Sequence, residues 1–177
     1  MRFKFLALSF LPLLAISLPA AAQNASAQSG GTTEVRRNAQ EQTPADIIGV
    51  WKLDLQASKF EGNAPKAQYR IFDYTRDGMF MCMYITLNAR GEQTSGNWAV
   101  KLDGSDGIEY TRPYGSTPFA IVTLKKVDEN TLDLTAGRYG KVFETGQFKI
   151  SPDTLTFTYH AGGRTTVAVY HRWNMLD

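Results

Sequence analysis

Few side chains in this 177-residue sequence are of types that move protons or hold ions, and their spacing limits the chemistry open to them. The only histidines, His160 and His171, fall on different strand-like stretches with no second ligand at metal spacing, so no metal site is expected. "GRYGK" at 137–141 has too few residues between its glycines for a phosphate loop, and Val142 stands where Ser or Thr would bind magnesium. No G-x-S-x-G nucleophile elbow occurs. The single cysteine, Cys82, lies inside "MFMCMYITL" and reads as a small buried apolar residue, not a nucleophile. What remains is Glu144. On "KVFETGQFKI" alternation puts Val142, Glu144, Gly146, Phe148 and Ile150 on one face, which leaves a carboxylate on an otherwise apolar surface. Such a group either raises its pKa, finds a partner, or sits at a mouth and reaches water. A cofactor-free enzyme built here would use Glu144 as base, with Tyr159, His171 or Arg112 as acid or anion stabiliser.

The elements that must position these residues are strands. From Gly49 onward the chain alternates short β-branched and aromatic runs ("GVWKLDL", "QYRIFDY", "GNWAVKL", "FAIVTLKKV", "TLTFTYH", "TVAVYHRW") with turn signals at Arg76-Asp77-Gly78, "NARG", "DGSDG", "DEN", "RYGK", "SPD" and "AGG". No stretch keeps a helical period, and "TPADII" predicts one turn, with Thr43 as its cap and Pro44 at its first position. Eight to ten strands in a domain of this size leave exposed edges unless the sheet closes. The expectation is an all-β fold, a single antiparallel up-and-down barrel.

A barrel interior then becomes the place to look for a ligand. On "TLTFTYH" the inward phase is Leu155, Phe157 and Tyr159. "MFMCMYITL" is apolar on both faces, Met79, Met81, Met83, Ile85 and Leu87 on one and Phe80, Cys82 and Tyr84 on the other. Methionine adapts to varied ligands, so Met81 and Met83, with Phe148, Phe157 and Tyr159, are the expected ligand-lining set and Glu144 marks the polar mouth.

Residues 1–22 read as a secretory signal peptide: Arg2 and Lys4, an apolar run, then small residues Ala20-Ala21-Ala22 before a cut at Gln23. The run is too short for a membrane span, and no cysteine follows the cut to carry a lipid anchor. Residues 23–43 are polar and aperiodic and read as a disordered tether; residues 44–177 are the barrel domain. Removing Arg2 and Lys4 leaves as many basic as acidic residues, so the exported chain lacks the basic surface that nucleic-acid binding requires. A periplasmic or secreted location follows. One thiol cannot staple an exported domain, so stability rests on a packed core. Nothing in the sequence sets an oligomeric state.

Gly49-Val50-Trp51, just after the single predicted turn, resembles the opening of lipocalin and calycin barrels. That resemblance implies that Trp51 corks the barrel, that Gly49 lets the chain pass over it, and that Arg172 of "YHRW" stacks on the indole. A longer resemblance, carried by "GVWKLDLQASKF", "NWAVKLDGSDG", "TLKKVDENTLDLT" and "GKVFETGQFKIS", is to exported bacterial lipocalin-like proteins of undefined function. It implies the fold and carries over no activity.

Three functions fit. The first is an exported, non-enzymatic barrel that binds a small apolar molecule without a cofactor. The second is a cofactor-free lyase or isomerase acting by proton transfer on a lipophilic carbonyl or phenolic substrate. The third is a structural envelope module whose barrel is filled by its own side chains.

Overall fold

Turn residues cut the chain into strands of eight to twelve residues, the length at which a small sheet can curl on itself. The structure is a computed structural model describing residues 43–112 and 118–174. The expected leader (1–22) and all of the expected tether except Thr43 lie outside the described residues. In chain order the strands are β1 (Gly49–Phe60), β2 (Ala67–Tyr74), β3 (Phe80–Leu87), β4 (Gln93–Val100), β5 (Asp103–Arg112), β6 (Pro118–Asp128), β7 (Thr131–Arg138), β8 (Lys141–Ile150), β9 (Thr154–Ala161) and β10 (Arg164–Arg172). Each pairs antiparallel with the next, and β10 returns to β1 through Trp51↔Arg172 and Leu53↔Tyr170, which closes the barrel. The architecture is the expected all-β up-and-down barrel, with ten strands and no free sheet edge.

Three local readings of the sequence need correction. The turn before β1 is a 3-10 turn, Ala45–Ile47, with Pro44 at its N-cap and no side-chain cap, so Thr43 does not cap it. Thr43 is buried instead, and a hydrogen bond links it to the Tyr74 side chain, so packing begins one residue before the expected boundary. "DGSDG" is not the turn after β4; it opens β5, and the register shift between Asp103 and Asp106 takes up Gly104 and Ser105. β1 is also interrupted, between Asp54 and Lys59. There the Asp54 carboxylate accepts from the amides of Gln56 (2.8 Å) and Ala57 (3.0 Å), while Ser58 Oγ accepts from the Val169 amide at 2.9 Å. These side chains satisfy groups that the ladder leaves unpaired.

The half of the barrel near Ile47, at the end of the 3-10 turn, is packed with side chains. Trp51, Phe72, Phe80, Phe148, Leu155 and Tyr170 are fully buried there. The rings interlock, Phe72 against Phe80 at 5.6 Å and against Phe148 at 5.7 Å. Burying a side chain of this size contributes roughly 1.5–3 kcal/mol. The exposed ion pair Arg90–Glu92 contributes about 0–1 kcal/mol. The plug therefore holds the fold, and the opposite half is left for a site.

The plug is closed from outside by the residues of the opening motif. Trp51 Nε1 donates to the Ile47 carbonyl at 2.7 Å, and the Arg172 guanidinium lies 4.5 Å from the indole centroid. Arg172 also donates to the carbonyls of Ile48 (3.0 Å), Asp46 and Pro152, tying the turn to the last strand. Gly49 has φ +134°, and a Cβ there would sit 2.9 Å from the Arg172 guanidinium, so only glycine suits the crossing.

Candidate functional site

Strand pairing assigns each side chain to a face, because residues paired across an antiparallel ladder point the same way. Cys82 pairs with Phe72 and Trp98, all buried, so Phe80, Cys82 and Tyr84 face inward. Met81 and Met83 therefore face outward, opposite Asp73 and Ile71, and Met83 keeps 41% of its surface exposed. The expectation that these two methionines line the interior is overturned. With both faces of β3 apolar, hydrophobicity could not choose the phase, and ring packing against Phe72 and Trp98 did.

On β8 the expected inward set holds its phase from Glu144 to Ile150 and then fails. Ala136 pairs with Glu144, but Gly137 pairs with Val142, so Phe143 is an extra residue in a bulge. Val142 is turned out, 61% exposed, while Phe143, itself 39% exposed, edges the interior. Phe148 and Phe157 are buried inside and stacked at 4.1 Å; Tyr159 follows on Phe157 at 4.9 Å. Of the other proton-transfer candidates, His171 is exposed on the outer face, 3.3 Å from Asp54, and Arg112 is exposed at the end of β5. Neither meets Glu144, so the four residues do not form one constellation. Glu144 and Tyr159 do line one space.

That space is a cavity of about 220 Å3 above the aromatic plug. Its apolar wall includes Trp98, Val122, Leu134, Phe143 and Phe157. Its polar wall is Gln68, Arg70, Tyr84, Glu109, Glu144 and Tyr159. A second hollow of about 510 Å3, at the rim between the β1–β2, β3–β4 and β9–β10 connections, shares Gln68 and Tyr159 with it. These two side chains stand between the rim hollow and the cavity.

Arg70, Tyr84 and Glu109 were not singled out from the sequence. Arg70 is in phase with Phe72 on β2, Tyr84 with Cys82 on β3, and Glu109 with Thr111 on β5. Phase with a buried neighbour was the available signal. Arg70 Nε donates to the Tyr170 hydroxyl at 3.2 Å, and its Nη1 lies 3.8 Å from Cys82 Sγ. Its guanidinium is 5.0 Å from the Phe157 ring centre and 5.7 Å from that of Phe148. Burial opposes its charge, but the surrounding Tyr170 and Cys82 groups outweigh that, and its pKa is raised: Arg70 stays cationic. Burial pushes the Cys82 thiol up to about 11, so it is protonated and unreactive.

Tyr84 Oη donates to Glu109 at 2.5 Å and lies 3.0 Å from Thr111 Oγ1. It reaches Glu109 by crossing over Gly96, where any Cβ would collide with the phenol. Burial raises the pKa of both, aided at Tyr84 by the Glu109 charge and opposed at Glu109 by the Tyr84 hydrogen bond and Arg70. Arg138, 4.0 Å from the Phe119 ring centre and donating to the Phe119 carbonyl at 2.5 Å, also favours the Glu109 charge. Glu144 differs. Burial raises its pKa, Arg70 opposes this at a distance, and among the described residues no hydrogen bond or ion pair engages its carboxylate. Among the described residues no group of three His, Cys, Asp or Glu could hold a metal, and no helix is long and apolar enough to cross a membrane. Chemically, the arrangement offers an apolar-walled space with one uncommitted carboxyl group.

No family model and no curated protein matches the sequence. Among solved structures 38 chains match. As-p18, an extracellular fatty acid binding protein, superposes with a TM-score of 0.53 at 17% identity, over 73% of this chain and 98% of its own. A Schistosoma mansoni fatty acid binding protein in complex with arachidonic acid gives 0.50 at 14%, over 75% and 99%. A variant of the fluorescent protein UnaG gives 0.50 at 17%, over 73% and 98%. At these identities the likeness is one of fold alone, a closed antiparallel barrel, here of ten strands.

Proposed function

We propose that the protein is a non-enzymatic barrel that binds a small lipophilic molecule and works outside the cytoplasm, after loss of residues 1–22. One observation carries the binding reading: a cavity of about 220 Å3 lies above the aromatic plug, next to a hollow at the rim. A barrel serving only as an envelope spacer has no reason to keep such a space, because an unfilled void forfeits packing energy. The fatty acid binding proteins of similar fold support a lipophilic class of ligand. Phe157 and Tyr159 form the proposed apolar contact surface with Phe143 and Trp98, while Phe148, expected in that set, is fully buried in the plug and only backs Phe157; the basic pattern of the leader supports export.

The second reading, proton-transfer catalysis, is favoured by Glu144, whose raised pKa suits a general base and which shares the cavity with Tyr159. Glu144→Gln separates the two. In a binder, affinity for a neutral apolar dye changes by less than about threefold, since no apolar contact is lost. In an enzyme, turnover of lipophilic ketones, lactones or phenolics falls about a hundredfold or more while substrate still binds. Turnover by the wild type that vanishes in this variant overturns the non-enzymatic reading.

A further inference from the structure

Among the described residues, every charged group that faces the cavity except Glu144 has a hydrogen-bond partner. The Arg70 guanidinium donates to Tyr170, contacts Cys82 and is walled by Phe148 and Phe157. Arg138, at the rim, is held by the ring and carbonyl of Phe119. Glu109 accepts from Tyr84. Glu144 alone presents a carboxylate to the empty space with no hydrogen-bonding partner among the described residues. A half-buried carboxylate with no protein partner keeps its accepting capacity open, and a ligand that supplies a cationic donor there gains a charge-assisted hydrogen bond.

Resting on the ligand-binding reading above, we propose that the ligand is a lipophilic amine whose ammonium group pairs with Glu144 inside the barrel. The ammonium donates hydrogen bonds to Glu144 while the hydrocarbon lies against Leu134, Phe143 and Phe157. A carboxylate ligand fares worse in the same space. It meets Glu144 and Glu109 together, and Arg70, the cation on the same wall, already offsets those two carboxyl groups. A neutral alcohol satisfies Glu144 with one hydrogen bond and no charge.

The test is calorimetric titration of the exported form, residues 23–177, with octylamine, octanol and octanoate at neutral pH. The same tail in all three isolates the head group. The expected order is octylamine about tenfold or more tighter than either of the others. Glu144→Gln removes that preference and leaves octanol within about threefold of wild type. Octanoate binding as tightly as octylamine overturns the proposal, as does an amine preference that survives Glu144→Gln. In both cases octanol binding still upholds a lipophilic-ligand barrel, so the two readings fail separately. Absence of binding by all three probes overturns both. Should Glu144→Gln not fold, the wild-type order alone decides the proposal.

Discussion

A carboxyl group turned toward a cavity makes stability depend on pH in a direction that can be stated beforehand. Burial raises the pKa of Glu144 and Glu109 above the ordinary 4.5. In the window between 4.5 and the raised values the folded chain holds more protons than the unfolded one, so stability falls as pH rises through it. Below the window Glu144 is protonated in both states and resembles glutamine. Glu144→Gln is therefore expected to melt with wild type at acidic pH and above it at neutral pH. Thermal melts across pH check this, and a constant offset at every pH contradicts it. Asp54, Asp103 and Asp128 work the opposite way. Backbone hydrogen bonds lead the lowering at Asp54 and Asp128, and a side-chain bond to Ser105 leads it at Asp103. Their stabilisation is lost as pH falls, equally in both proteins, and cancels in the comparison. At the closed end, Trp51→Ala removes a fully buried indole and is expected to cost about 3–5 kcal/mol. Arg172→Ala costs less, because its guanidinium is exposed, and the double mutant shows coupling through the 4.5 Å stacking contact. Strict additivity in denaturant melts contradicts that account.

At the scale of elements, the cavity exists because particular strands bend or thin at particular places. Gly96 on β4 lets the Tyr84 phenol cross to Glu109; a Cβ there would also stand 2.9 Å from the Tyr110 carbonyl. Gly96→Ala is expected to cost about 1–3 kcal/mol and to displace Tyr84, with calorimetry and the tyrosine absorbance spectrum as the readouts. Such places separate what the sequence showed from what it hid. Turn residues announced nearly every strand, and alternation assigned Phe157 and Tyr159 correctly to the inner face. Alternation failed where its premise failed. β3 is apolar on both sides, so Met81 and Met83 read as plausibly inward as Phe80 and Cys82. The bulge at Phe143 shifts the phase of β8 by one residue, and nothing in "KVFET" marks it. Arg70, Tyr84 and Glu109 stayed hidden for another reason. Each carries a polar group that composition assigns to solvent, and its phase with a buried neighbour became readable only once strand pairing showed that neighbour to face inward.

For the whole molecule, the account divides the barrel into a solid half that folds it and a hollow half that binds. Residues 23–42 are polar and aperiodic, too poor in apolar content to offset the entropy of ordering them. A chain beginning at Gln42 retains the buried Thr43 and is expected to melt within a few degrees of one beginning at Gln23. A large drop would show that the segment packs on the barrel. The division itself is tested most directly by methyl-labelled NMR during titration with octanol. Val122 and Leu134 line the cavity, whereas Met83 and Ile85 lie exposed on the outer face of β3. The account predicts saturable shifts at the Val122 and Leu134 methyls with Met83 and Ile85 unmoved. Shifts at Met83 and Ile85 with Val122 and Leu134 unmoved would place the ligand on the outside and contradict it.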